Sequence, residues 1–124
     1  MVSVPLAFLC EDAGMTGPAV AAIVVADLPT DAALLDVREL DEWTAGHAPD
    51  ARHLPMSELT ARLGEIPDAD PLFVICRSGA RSARVVAFLA GQGYPAVNVD
   101  GGMRSWAAAG RPLVADGGGH PEIV

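Results

Sequence analysis

Apolar residues in this chain fall into short continuous runs, and between the runs they return every three or four positions. Ala21 to Ala26, Leu34-Leu35-Asp36-Val37, Leu72 to Ile75 and Ala96 to Val99 have the length and β-branched character of buried strands, with a shorter extended piece at Arg52-His53-Leu54. Helices are expected between them. Leu40 to Ala45 ends at Gly46, and Ser57 to Leu63 is capped near Ser57 or Met56. Ala80 to Gln92 sets Val85, Phe88 and Leu89 on one face, and Met103 to Ala109 opens after Gly101-Gly102 and closes at Gly110 and Pro112. Strand and helix alternating at this spacing predict an α/β fold, with a parallel sheet covered on both faces.

Length and composition narrow the picture. At 124 residues with 51% apolar and 19% charged positions, the chain suffices for one domain with one core. Residues 1–18 read as an N-terminal extension, residues 19–114 as the folded domain, and residues 115–124 as a flexible glycine-rich tail. Met15 is an alternative natural start. A formal net charge of -8 argues against nucleic acid or an anionic membrane as partner. No stretch reaches the length of a membrane span, and the apolar N-terminus lacks the basic flank of a secretory signal, so a cytoplasmic location is the expectation. Cys10 and Cys76 are the only cysteines, too few for a disulfide framework or a four-ligand zinc site, and no metal or cofactor is expected. Cys10 is read as incidental, with a resolving thiol or lipid attachment as its alternative roles.

Against this acidic background the densest basic cluster is Arg77, Arg81 and Arg84, directly after Cys76. Cys76 ends a strand and precedes a helix N-terminus, where unpaired amides and the helix dipole favour negative charge. A free thiol titrates near pH ~8.5, and such surroundings lower that value into the range of a competent nucleophile. Gly79 lets backbone close around a bound atom, and Arg77 and Arg81 offer forked donors suited to oxyanions. A strand-end cysteine is often only a small core hydrophobe, but that reading leaves the loop arginines without a role. Arg84 fits a solvated helix face.

The motifs resemble those of the rhodanese-like domains, the single-domain thiosulfate sulfurtransferase family, over about Leu34 to Pro112. The resemblance rests on Leu35-Asp36-Val37-Arg38-Glu39 with Trp43, Gly46-His47, Ala51 and Leu54-Pro55, on Ile75-Cys76-Arg77-Ser78-Gly79-Ala80-Arg81-Ser82, and on Asp100-Gly101-Gly102 with Trp106, Gly110 and Pro112. It implies a central parallel sheet of about five strands flanked by helices on both faces. It also implies that Cys76 accepts a sulfane sulfur as a persulfide, cradled by the amides of Arg77, Ser78, Gly79, Ala80 and Arg81. Arg77 and Arg81 would bind the oxyanion end of a donor such as thiosulfate, and cyanide or a thiol would accept the sulfur. Asp36, Arg38 and Ser82 would support the loop, the first two as a salt-bridged scaffold. One departure is Asp50, where the family usually has Gly; Asp tolerates left-handed backbone, so the turn is expected to persist.

The rivals are weaker. Cysteine-based phosphatases and arsenate reductases place their arginine where this chain has Ser82, and the shorter loop suits one sulfur atom better than phosphate. A cysteine protease would want a histidine paired with the thiol; His47 and His53 are assigned to structure, and Trp43 and Trp106 to packing. A noncatalytic recognition module usually lacks the cysteine, whereas a sulfur-relay module that hands its persulfide to a partner protein stays open.

Overall fold

A computed structural model describes residues 20–124. Cys10, the extension and the alternative start at Met15 lie outside the described residues. Five strands, β1 (Ala22–Val24), β2 (Leu34–Asp36), β3 (Arg52–His53), β4 (Leu72–Ile75) and β5 (Ala96–Asp100), form one sheet in the order β1-β5-β4-β2-β3. Every pairing is parallel, with Val74 opposite Asn98 and Asp36 opposite both Ile75 and His53. Among the described residues three α-helices accompany it: α1 (Leu40–Ala45), α2 (Ala80–Gly91) and α3 (Gly102–Ala108).

The two-residue period of β4 divides the core. Leu72 and Val74 point to one side, where Val85, Val86, Phe88 and Leu89 of α2 cover them; Phe73 and Ile75 point to the other, against Met103 and Trp106 of α3 together with Val25 and Leu28. All four β4 residues are buried, which is why this strand reads as an unbroken apolar run. Each large side chain so buried contributes ~1.5–3 kcal/mol. Because the strands are parallel, the loops after β2, β4 and β5 gather at one edge of the sheet.

Several expectations need correction. The first strand is shorter, because the chain turns into a 3-10 segment at Val25–Asp27. The helix expected over Ser57 to Leu63 is instead two 3-10 segments, Met56–Glu58 and Thr60–Glu65, with a kink at Arg62. Met56 and Leu59, then Leu63 and Ile66, pack against the core at a spacing of three, the 3-10 period. No residue other than glycine has positive φ among those described, so Asp50 makes its turn without the left-handed conformation.

The tail also differs from the flexible segment expected. Val114 pairs with His47 through two backbone bonds, the Asp116 amide donates to Thr44 O, and the Glu122 amide donates to Ala45 O. Ile123 packs against the second core cluster. A Cβ on Gly46 would lie 2.5 Å from Glu122 O, so a glycine is what lets the tail cross the end of α1.

Candidate active site

Cys76 follows β4 directly, and α2 begins four residues later, with Gly79 at its N-cap in a left-handed conformation (φ 108°). This turn swings the chain back over the sulfur. The Gly79 amide donates to Cys76 Sγ at 3.1 Å, and the Ser82 hydroxyl, one helical turn on, donates at 3.3 Å. The residue is only 1% exposed. Burial pushes the thiol up, but the Ser82 hydroxyl and the amides of Ser82, Gly79 and Ser78 stabilise the thiolate more, and the net position is below the ordinary thiol value. Ser82, expected only as support, touches the sulfur itself.

The cradle is oriented from behind. The Met103 amide donates to Cys76 O at 2.8 Å and the Arg104 amide to Arg77 O at 3.0 Å, while Asn98 Nδ2 donates to Gly79 O at 3.3 Å. In a trans peptide the carbonyl and the amide proton point in opposite directions. Drawing these carbonyls toward β5 and α3 therefore turns the following N–H groups, including that of Ser78, away from α3. Gly102, at φ 56°, permits the approach: a Cβ there would collide with Cys76 O and sit 2.6 Å from Arg77 O. Asn98 also donates to Asp100 Oδ1 at 2.9 Å, and its own Oδ1 has no partner among the described residues.

The arginines divide into two kinds. Arg81, expected to grip the donor oxyanion, instead forms a bidentate pair with Glu42, Nη1 to Oε1 at 2.7 Å and Nη2 to Oε2 at 2.8 Å. The bond to Arg81 holds the Glu42 carboxyl below its usual range against the opposing effect of burial, and Glu42 raises the arginine in turn. Glu42 also caps α1, accepting from the Glu39 amide. Arg77 is exposed and has no side-chain hydrogen bond or ion pair among the described residues. Ala80 is exposed at the first position of α2.

Beneath the loop, Asp36 and Arg38 form an ion pair whose side chains are both 0% exposed. Arg38 Nε and Nη2 donate to the carboxylate at 2.8–3.1 Å, and Nη2 also donates to Gly46 O at 2.8 Å, tying β2 to the end of α1. His53 Nε2 donates to Arg38 O at 2.7 Å. Trp43 stacks on both histidines, its ring centroid 3.6 Å from that of His47 and 4.7 Å from that of His53. His47 faces Ala48 O and Asp116, and neither histidine bonds to Cys76. Trp106 is buried and donates to Pro112 O.

Sequence reasoning missed Glu42, Asn98 and the amides of Met103 and Arg104. Only Glu42 carried a local signal, its spacing of three from Glu39 at a helix start. Among the described residues, no three of His, Cys, Asp and Glu gather as a metal site, and no helix is long and apolar enough to cross a membrane.

Comparison with known proteins places this geometry in a family. Residues 21–109 match the model of the rhodanese-like domain. The chain is 44% identical over 89 residues to a sulfurtransferase of Allochromatium vinosum, covering 71% of this chain and 83% of that one. It is 42% identical over 80 residues to YtwF of Bacillus subtilis, covering 64% and 77%. A rhodanese-related protein from Thermoplasma volcanium superposes with a TM-score of 0.72 at 35% identity, over 77% of this chain and 99% of that one. With the strand-to-helix cysteine loop, the parallel five-stranded sheet and this match over most of its length, the chain belongs to the rhodanese-like domain family.

Proposed function

We propose that this protein is a sulfurtransferase that carries sulfane sulfur as a persulfide on Cys76, with thiosulfate as a donor and cyanide or a thiol as acceptor. The observation that carries the reading is the set of donors on Cys76 Sγ, the Gly79 amide and the Ser82 hydroxyl, which stabilise a thiolate at the mouth of a loop without any general base.

The chemistry balances as a displacement. Cys76 thiolate attacks the outer sulfur of thiosulfate, a sulfur–sulfur bond forms to Sγ, and the bond to the sulfonate sulfur breaks with its electron pair. Sulfite leaves as the dianion, and the persulfide retains the single negative charge of the thiolate. The hydrogen bonds that held Sγ are suited to a sulfur anion one atom farther out. A second thiophile then attacks the outer sulfur and regenerates Cys76. Family membership and the Allochromatium vinosum relative support sulfur transfer in general.

The test is intact-protein mass after brief incubation with thiosulfate. A gain of about 32 Da, one sulfur, that is absent in Cys76→Ser, kept in Cys10→Ser and discharged by cyanide is the expected result. An unmodified wild-type protein would remove thiosulfate as donor.

A further inference from the structure

Lysine is absent from the chain and its eight arginines carry its fixed positive charge; four of them have side-chain partners among the described residues. Arg38 is buried on Asp36, Arg62 lies between Glu58 and Glu65, Arg81 is held by Glu42, and Arg111 donates to Val25 O and Leu28 O beside Trp106. Two arginines at the Cys76 edge of the sheet are exposed and have no side-chain bond among the described residues: Arg77 in the loop and Arg104 in the first turn of α3. They come from chain segments far apart in sequence, yet the Arg104 amide donates to Arg77 O at 3.0 Å. Met103, its neighbour, bonds to the carbonyl of Cys76 itself.

We propose that Arg77 and Arg104 form the anion clamp of this site, with Arg104 a substrate-positioning residue that draws the oxyanion end of a sulfane donor to the mouth of the loop. The proposal rests on Cys76 being the sulfur acceptor. Two guanidinium groups suit a dianion such as thiosulfate, whose terminal sulfur must reach Sγ while its sulfonate stays outside with solvent. Of the nearby carboxylates, Glu42 is neutralised by Arg81, while Asp100 accepts from the neutral Asn98 amide and keeps its charge, one negative group against two guanidinium groups. Arg81 is committed to Glu42, and recognition passes to the unpaired Arg77 and Arg104.

Alkylation tests the clamp without requiring sulfur transfer. In a Cys10→Ser background, the rate constants for iodoacetate and iodoacetamide are measured on the same thiolate. Their ratio reports attraction of an anion and divides out thiolate reactivity. Arg104→Gln and Arg77→Gln are each expected to lower the ratio about fivefold, with Arg104→Lys restoring most of it. Arg52→Gln, the same charge change on exposed β3, should leave it unchanged. In the same Arg104 and Arg77 variants KM for thiosulfate should rise with kcat held. A ratio in Arg104→Gln within about twofold of the parent, or an equal fall in Arg52→Gln, overturns the clamp. If the ratio falls as expected but thiosulfate adds no sulfur to the parent, the clamp stands and thiosulfate transfer is what fails.

Discussion

Glu42 holds Arg81 through two parallel hydrogen bonds, and it thereby ties the helix after the second strand to the helix that carries the nucleophile loop. An arginine that the sequence offers as a substrate ligand is thus a strut between two elements. Glu42→Gln should release the guanidinium toward solvent and remove one negative charge from the rim. KM for thiosulfate is expected to fall about threefold, and stability to fall by ~1 kcal/mol or less because the pair is partly solvated. Steady-state kinetics with thermal unfolding checks both; an unchanged KM would mean that Glu42 does not compete with the donor.

Ser82→Ala should weaken Cys76 as a thiolate. The hydroxyl donates to the sulfur, so its loss moves the inflection of the alkylation rate to higher pH and cuts the rate at pH 7 severalfold. The folded thiol lies below its unfolded value, so native stability grows as pH rises through the folded value toward ~8.5, and is lost as pH falls below it. In Ser82→Ala that window narrows, which urea titrations at several pH values would register.

Arg38→Met leaves the Asp36 carboxylate buried without its counter-ion. A loss of ~3–5 kcal/mol is expected, and the double variant Asp36→Leu with Arg38→Met should recover much of it. Equilibrium denaturation decides; a single variant as mild as a surface substitution would contradict the buried pair.

Gly102→Ala and Gly91→Ala should have opposite effects. A methyl at 102 meets the carbonyls of Cys76 and Arg77 and requires a left-handed backbone, so α3 must withdraw and persulfide formation should slow at least about tenfold. At 91 the methyl meets nothing within 4 Å at the end of α2, and a gain of ~0.4–1 kcal/mol is expected. Equal effects at both positions would show that the Gly102 contact does not shape the loop.

How much was legible depends on the range of the interaction. Leu72–Ile75 and Leu40–Ala45 stand where the pattern predicted them, because burial on both faces and a glycine stop are local signals. The strand-to-helix placement of Cys76 and Gly79 was legible for the same reason. The Met56–Glu65 region differs from the expected helix because a spacing of three and a spacing of three-or-four look alike over so few residues. Arg81 looks free in the sequence because its partner lies 39 positions earlier, and Arg104 carries no local signal because only the folded sheet brings its amide to Arg77 O. The tail's glycines suggest mobility, whereas its contacts are made by Val114, Asp116, Glu122 and Ile123.

The carbonyl bonds from α3 to the cysteine loop make the chemistry of Cys76 a reporter on the state of the chain. Twelve residues of α2 do not hold a helix alone in water, and the loop takes its shape only when β5 and α3 have docked behind it. Before that moment the sulfur lacks the Gly79 and Ser82 donors that favour its thiolate; afterwards it has them. A pulse of alkylating reagent during refolding should therefore date the assembly of the sheet's last strand.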